Sequence, residues 1–127
     1  MPSAGEGTRV LIVDDEADIR VLVQAVIEVA DEGLRVVGEA SNGEEAIERW
    51  RETRPDVILL DVWMPGMSGL DTAERILAEL PEQRIVLFSA FLDEPTVLKA
   101  SRMGIRAWVG KDEASAIPEA LRGHAHT

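Results

Sequence analysis

Five residues with chemically active side chains stand directly after apolar runs in this chain. Asp14 and Asp15 follow one run, Asp61 follows a second, Ser89 follows a third, and Lys111 follows a fourth. Short apolar runs favour buried strands, and a charge at the end of a buried strand needs compensation. If the four strands lie parallel in one sheet, these side chains meet at its carboxyl-end edge, where open α/β sheets bind ligands.

The three acids predict a site for a hard divalent cation. Adjacent carboxylates raise one another's pKa unless a cation intervenes, and Mg²⁺ accepts a few carboxylate oxygens together with water and phosphate. The alternative is that Asp14 and Asp15 cap a helix starting near Glu16, since Asp is a good N-cap. One residue suffices for a cap, so the second acid and Asp61 stay unexplained by that alternative.

Lys111 and Ser89 could complete a phosphate site. The ammonium of Lys111 can pair with a phosphoryl oxygen, or it can form a structural ion pair near Asp61. The hydroxyl of Ser89 can donate to a phosphoryl oxygen, although serine at a strand end is more often a turn or cap residue.

The loop from Asp61 to Gly69 is the most specific segment of the sequence. Pro65 fixes the backbone, while Gly66 and Gly69 permit unusual dihedral angles. We therefore expect a stiff loop that holds Asp61 and a backbone carbonyl in place. A plain connection between strand and helix would not explain why the loop starts at an acid.

Strands and helices alternate along the chain. The predicted strands are Thr8–Val13, Leu34–Gly38, Asp56–Leu60, Arg84–Phe88 and Ile105–Gly110. Five helices are predicted between and after them. The first has an apolar face from Ile19 to Ala30 and stops at 31–33, and the second has a capping box at 41–44 and ends at Pro55. The third starts at Ser68 and ends before Pro81, the fourth starts at Asp93 and ends at Gly104, and the last spans Ala114–Arg122 with Pro118 in its first turn. Five such βα units predict an α/β fold with a parallel sheet, and the mixed strand at 34–38 is expected at an edge.

Composition bounds the class of protein. The 127 residues fit one domain at 8–122, with a flexible leader at 1–7 and a frayed tail at 123–127. The chain has no cysteine, and its leader lacks the features of a signal peptide, so we expect a cytoplasmic protein without a membrane segment. The net charge of −11 disfavours direct binding to nucleic acid.

Taken in order, these motifs resemble the receiver domain of two-component response regulators. That family has an acidic pair after strand one, an Asp-x-x-Met-Pro-x-x-x-Gly loop, a Ser/Thr-Ala pair after strand four and a lysine after strand five. The matching segments here are Asp14-Asp15, Asp61 to Gly69 with Met64-Pro65, Ser89-Ala90 and Lys111. The resemblance covers Thr8 to Arg122 and implies a flavodoxin-like (βα)5 three-layer sandwich with strand order 2-1-3-4-5.

The resemblance also implies a mechanism. Asp61 would accept a phosphoryl group from a histidine of a sensor histidine kinase. Mg²⁺ would be held by Asp14, Asp15, Asp61 and the backbone carbonyl of Trp63. The metal and Lys111 would neutralise charge on the transferring group. We expect a switch with its own phosphorylation and dephosphorylation chemistry, and no enzyme that turns over an external substrate.

Two further residues would carry the switch. Ser89 would turn toward the phosphate, and Trp108 stands where the family usually has Tyr or Phe. Core packing is an equal alternative for Trp108. Their repacking would alter the surface of the fourth helix, fifth strand and fifth helix.

The Lys111-Asp112 bond departs from the family's frequent cis Lys-Pro and is expected to be trans. The Lys111-Asp112 pair, together with the segment Met64-Pro65-Gly66-Met67, is similar to that of transcriptional regulators with a C-terminal helix-turn-helix domain. A DNA-binding output domain, a separate protein target and a phosphorylation-dependent second copy of the chain are therefore the expected partners besides the kinase.

Two other functions stay open at the level of sequence. A pseudo-receiver would act as a constitutive interaction module, although Asp14, Asp15, Asp61 and Lys111 argue against it. A Mg²⁺-dependent phosphohydrolase would use an aspartyl nucleophile, but it usually has a second acid where this chain has Trp63. We also hypothesise that the large side chains of Trp63 and Phe91 shield an acyl phosphate from water.

Overall fold

The computed structural model describes residues 7–30 and 33–123. The strands are β1 (Thr8–Val13), β2 (Leu34–Ala40), β3 (Val57–Leu60), β4 (Arg84–Ser89) and β5 (Ala107–Gly110). The helices are α1 (Ala17–Ala30), α2 (Gly43–Thr53), α3 (Gly69–Glu79), α4 (Glu94–Arg102) and α5 (Ile117–Arg122), the last preceded by a 3-10 turn at Ala114–Ala116.

The five strands form one sheet in the order β2-β1-β3-β4-β5, and every neighbouring pair is parallel. This confirms the strand order and the edge position expected for β2. Because each connection joins parallel strands, a helix must cross over a face of the sheet between them. All five loops that follow the strands therefore lie at the same edge.

The core has one layer on each face of the sheet. Alternate residues of the central strands point to opposite faces, as Leu11 and Ile12 of β1 show. Helices α1 and α5 cover one face through Val23, Ile27 and Leu121, while α2, α3 and α4 cover the other. The central strands are buried on both faces of the sheet, which explains why their sequences are continuous runs of apolar residues.

Several predicted boundaries were wrong by a few residues. Strand β2 continues to Ala40 because its backbone stays paired with β1 up to Val13. Strand β5 starts at Ala107 and not at Ile105, because the amide of Ile105 still donates to the carbonyl of Ala100 in α4, at 3.0 Å.

The cap of α2 also differs from the predicted box at 41–44. Asn42 is the N-cap, and its side chain accepts from the amide of Glu45 at 2.8 Å. The carboxylate of Glu45 accepts in turn from the amide of Ser41 at 2.7 Å. The cap therefore lies one residue later than predicted, because either Ser or Asn can cap a helix, and the Glu45 carboxylate bonds the residue before the N-cap and not the N-cap itself.

The predicted ends of α3 and α4 agree with the structure, whereas the last helix, predicted from Ala114, begins at Ile117 after a 3-10 turn at Ala114–Ala116. Pro118 lies in the first turn of α5, where proline is tolerated. The predicted stop of α1 falls partly outside the described residues, although Gly33 itself has φ of +78°. The predicted leader and tail lie almost wholly outside them. Within the described ranges, no helix is both long and apolar enough to cross a membrane.

Candidate functional site

Backbone hydrogen bonds extend the sheet past the strand ends and align the predicted site residues. The amide of Asp61 donates to the carbonyl of Val13 at 2.9 Å, and the amide of Asp14 donates to Ala40 at 3.1 Å. The amide of Lys111 donates to the carbonyl of Ser89 at 3.0 Å. The positions of these residues are thus fixed by the sheet and not by flexible loops.

The three acids form a tight cluster. One carboxylate oxygen from each of Asp14, Asp15 and Asp61 lies within 4.8 Å of the other two. Asp14 and Asp61 are buried, whereas Asp15 is exposed at the rim. Asp14 also caps the turn into α1, since its Oδ1 accepts from the amide of Glu16 at 2.9 Å. Its other oxygen remains available to the cluster, so capping and charge clustering coexist in one residue.

Lys111 supplies positive charge to this cluster. Its Nζ lies 2.9 Å from Oδ2 of Asp14, 3.5 Å from Oδ2 of Asp61 and 3.4 Å from Oε1 of Glu16. Burial lowers the pKa of Lys111, but close contact with Asp14 and the charge of Asp61 outweigh this effect and raise it above its ordinary value. One ammonium therefore faces three carboxylates, and the pocket keeps an excess of negative charge.

The pKa of Asp61 is raised by its burial and by the excess of negative charge in the pocket. Burial and the charge of Asp14 raise the pKa of Asp61 to about 6, while Lys111 and the amide of Trp63 act in the opposite direction. A carboxyl in this setting is ionised near neutral pH, yet it gains from any additional cation.

The donor set fits Mg²⁺. The cluster offers only oxygen ligands, two of its acids are buried, and Oδ2 of Asp14 accepts no well-aligned hydrogen bond from the described residues. A hard cation that keeps several waters and binds a few carboxylates suits this arrangement. Mg²⁺ itself, and the part expected of the Trp63 carbonyl, stay predictions.

The loop after β3 is held close to Asp61. A Cβ atom on Gly69 would lie 2.0 Å from the carbonyl oxygen of Asp61, so only glycine permits α3 to begin here. The amide of Gly69 donates to Val62 at 2.8 Å, and Ser68 caps α3. Gly66 has φ of +77° with open space around it. The two glycines thus serve different needs, close approach and a left-handed backbone.

Ser89 is buried, and its hydroxyl is occupied by a backbone carbonyl. Its Oγ donates to the carbonyl of Phe91 at 3.1 Å. The indole Nε1 of Trp63 donates to the same oxygen at 2.6 Å. The sequence placed Trp63 and Phe91 beside the site, but this bond was not foreseen because its acceptor is a backbone atom.

Trp108 is 44% exposed, which excludes the core-packing alternative. It pairs with Leu87 across β4 and β5. Every peptide bond among the described residues is trans, in agreement with the expectation for Lys111-Asp112.

Sequence reasoning missed Arg20 and Glu16. Arg20 donates through Nη1 to the carbonyl of Asp14 at 2.7 Å and pairs through Nε with Glu39 at 3.0 Å. Glu16 is the third carboxylate beside Lys111. An arginine on α1 six residues after an acid gives little signal, because surface arginines are common on helices.

A parallel α/β sandwich with buried acids and a lysine at its carboxyl edge defines a signal-receiving domain of the flavodoxin-like class. The chain belongs to the response regulator receiver domain family, whose family model matches residues 10–122.

Among curated relatives, the chemotaxis protein CheY of Thermotoga maritima is 38% identical over 116 residues, covering 91% of this chain and 95% of CheY. The nitrate/nitrite response regulator NarL of Escherichia coli is 40% identical over 107 residues, covering 84% of this chain and 49% of NarL. The chain thus spans nearly all of one relative and about half of the other.

Solved structures agree with this assignment. The response regulator domain of Thermotoga maritima CheB has a TM-score of 0.83 at 29% identity, covering 91% of this chain and 94% of that one. The receiver domain of a NarL from Mycobacterium tuberculosis has a TM-score of 0.81 at 32% identity, covering 93% of this chain and 98% of that one.

Proposed function

We propose that this domain accepts a phosphoryl group from a sensor histidine kinase onto Asp61 in a Mg²⁺-dependent reaction. The observation that carries the proposal is the convergence of Asp14, Asp15 and Asp61 within 4.8 Å, with Lys111 Nζ at 2.9 Å from Asp14 and 3.5 Å from Asp61. This geometry supports Asp61 as the nucleophile, because its buried carboxylate lies beside a cationic side chain and two further acids that could hold a metal ion.

In the proposed reaction, an oxygen of Asp61 forms a bond to phosphorus while the P–N bond of the kinase phosphohistidine breaks. The electron pair of that bond passes to the imidazole nitrogen, which takes up a proton, and Asp61 becomes an acyl phosphate. Asp61 must be ionised to attack, and its pKa of about 6 leaves it ionised at neutral pH.

Lys111 would pair with an oxygen of the transferring group, since it already lies within reach of Asp61. Asp14, Asp15, Asp61 and the Trp63 carbonyl would hold Mg²⁺, which when bound supplies positive charge that neutralises phosphoryl oxygens. Ser89 would leave the Phe91 carbonyl and donate to the phosphoryl group.

The output would be a change of surface. Ser89 and Trp108 repack, and the face formed by α4, β5 and α5 changes its binding properties. Both Trp108 and Leu98 of α4 are partly exposed there, at 44% and 48%, and both offer apolar area to a partner. The partner would be an output domain, a separate protein or a second copy of this chain.

Control of transcription follows only if residues 8–122 belong to a longer regulator such as NarL, of which they match about half. The net charge of −11 supports a protein target over direct contact with DNA by this domain. A kinase partner makes the cytoplasm the expected compartment.

The proposal is tested by titration with beryllofluoride, a phosphoryl mimic, with Mg²⁺ present or chelated. Trp63 and Trp108 are half-exposed, so fluorescence reports on their surroundings. We expect a saturable change in the wild type that needs Mg²⁺ and is lost in Asp61→Asn. No response in the folded wild type would favour the constitutive interaction module.

A phosphohydrolase would hydrolyse an external phosphate ester in repeated catalytic cycles. We expect the wild type to release no more phosphate from an aryl phosphate ester than Asp61→Asn does. Sustained release above that level would contradict the proposed switch.

A further inference from the structure

The carbonyl of Phe91 accepts two side-chain hydrogen bonds from different loops. The hydroxyl of Ser89 donates from the end of β4 at 3.1 Å, and the indole of Trp63 donates from the loop after β3 at 2.6 Å. Trp63 and Phe91 are 28 residues apart in the chain, with α3 and β4 between them, so this hydrogen bond is a tertiary contact between two loops.

The hydrogen bond between Trp63 and Phe91 lies beside the two residues proposed to act in the switch, Asp61 and Ser89. Trp63 comes two residues after Asp61, and Phe91 comes two residues after Ser89. Because β3 and β4 are neighbours in the sheet, a bond between these positions crosses the gap between Asp61 and Ser89.

The hydroxyl of Ser89 cannot serve two acceptors. A serine has one hydroxyl hydrogen, so it donates either to the Phe91 carbonyl or to a phosphoryl oxygen on Asp61. Whatever holds the Phe91 carbonyl beside Ser89 therefore stabilises the unphosphorylated arrangement.

The segment between β4 and α4 is short and anchored at both ends. Ser89 ends β4, and Asp93 caps α4 by accepting from the amide of Thr96 at 2.9 Å. The indole bond fixes the middle of this three-residue connection, since it holds the carbonyl of Phe91.

We infer that Trp63 is a positioning residue that opposes switching: its indole N–H holds the Phe91 carbonyl where Ser89 donates to it, so that Ser89 is kept from the phosphoryl group. The inference rests on the proposed function and adds a residue that sets the balance between the two arrangements.

The test is a double-mutant cycle with Trp63→Phe, Ser89→Ala and the pair. Phenylalanine keeps a ring and removes the N–H donor. The readout is the dissociation constant for beryllofluoride at fixed saturating Mg²⁺, followed by fluorine NMR so that no tryptophan signal is needed. We expect Trp63→Phe to tighten binding about two- to tenfold, the net effect of one hydrogen bond.

The effect must pass through Ser89, so we expect Trp63→Phe to change affinity little when Ser89→Ala is also present. Phe91→Leu is the matched control, because it alters the neighbouring side chain and keeps the carbonyl acceptor. It should bind beryllofluoride as the wild type does. Mg²⁺ affinity without beryllofluoride is measured for the wild type and Trp63→Phe, so that beryllofluoride binding is compared at the same saturation of the metal site.

Unchanged or weaker binding in Trp63→Phe would overturn the inference, as would an equal effect in the Ser89→Ala background. In either case the wild type still binds beryllofluoride, so the proposed function survives. A wild type that binds none would overturn both.

A measurement on the wild type covers the case in which Trp63→Phe does not fold. The indole proton of Trp63 should exchange faster with solvent once beryllofluoride is bound. Trp50 is the internal control, since its indole donates to Gln83 inside the core at 2.9 Å. Unaltered exchange at Trp63 would overturn the inference.

Discussion

Asp61 is the residue at which fold stability and the proposed function conflict. It is 3% exposed and shares its pocket with Asp14, and both facts raise its pKa to about 6. The sequence predicted which acids would meet, because each follows an apolar run. It could not predict that Lys111 would be shared with Glu16, since that depends on side-chain positions across three loops.

We predict that Asp61→Asn stabilises the metal-free domain. An acid whose pKa is higher in the folded than in the unfolded state stabilises the fold below its unfolded pKa, and this contribution is lost as pH rises to about 6. At pH 7 the variant should therefore be more stable than the wild type by roughly 1 to 3 kcal/mol. The measurement is urea denaturation at pH 4, 5, 6 and 7.

The difference between the two proteins should grow from pH 4 to pH 7 and shrink when Mg²⁺ is added. Glu74→Gln removes an exposed carboxylate from α3 and serves as the control for the loss of one acid outside the cluster. A wild type as stable as Asp61→Asn at pH 7 without metal would show that Asp61 carries no electrostatic strain.

At the scale of elements, the loop after β3 matters most for the site. Its predicted stiffness rests on Gly69, whose missing Cβ lets α3 start against the carbonyl of Asp61. The sequence indicated which glycines were special but not why each was needed. Boundaries such as Ala40 and Ala107 were missed because strand ends depend on pairing with neighbours, which local patterns do not contain.

We predict that Gly69→Ala disrupts this loop. The new methyl group would meet the Asp61 carbonyl at 2.0 Å, so the start of α3 must move away. The expected loss is about 2 kcal/mol or more in the free energy of unfolding, with weaker Mg²⁺ binding. Urea denaturation and a Mg²⁺ titration measure the two effects.

Gly66→Ala is the matched control from the same loop. It has open space around it and φ of +77°, so it should cost only about 1 kcal/mol of backbone strain. If Gly69→Ala proved as mild as Gly66→Ala, close approach to Asp61 would not be what glycine provides at position 69.

At the scale of the whole molecule, the site exists only because the sheet brings distant strand ends together. Asp14 and Lys111 are 97 positions apart in numbering yet their charged atoms lie 2.9 Å apart. The parallel α/β class followed from the alternation of apolar runs and amphipathic stretches. The strand order 2-1-3-4-5 came from the family resemblance, because sequence periodicity does not specify which strands are neighbours.

We predict that Mg²⁺ stabilises the whole domain, since it binds a pocket that only the folded chain forms. At a concentration tenfold above its dissociation constant it should add about 1.4 kcal/mol and raise the melting temperature by roughly 4 °C. Differential scanning calorimetry of the wild type and Asp61→Asn measures this. An equal rise in both proteins would place the ion outside the acidic cluster.

The central claim is that Asp61 is the phosphoryl acceptor, and chemical mapping of the phosphorylated residue tests it most directly. The domain is incubated with a small phosphodonor and Mg²⁺, the acyl phosphate is reduced with borohydride, and the converted residue is located by mass spectrometry of peptides. The account predicts conversion of Asp61 to homoserine, only when Mg²⁺ is present. Conversion of Asp14 or Asp15 instead, or none in a folded Mg²⁺-bound domain, would contradict it.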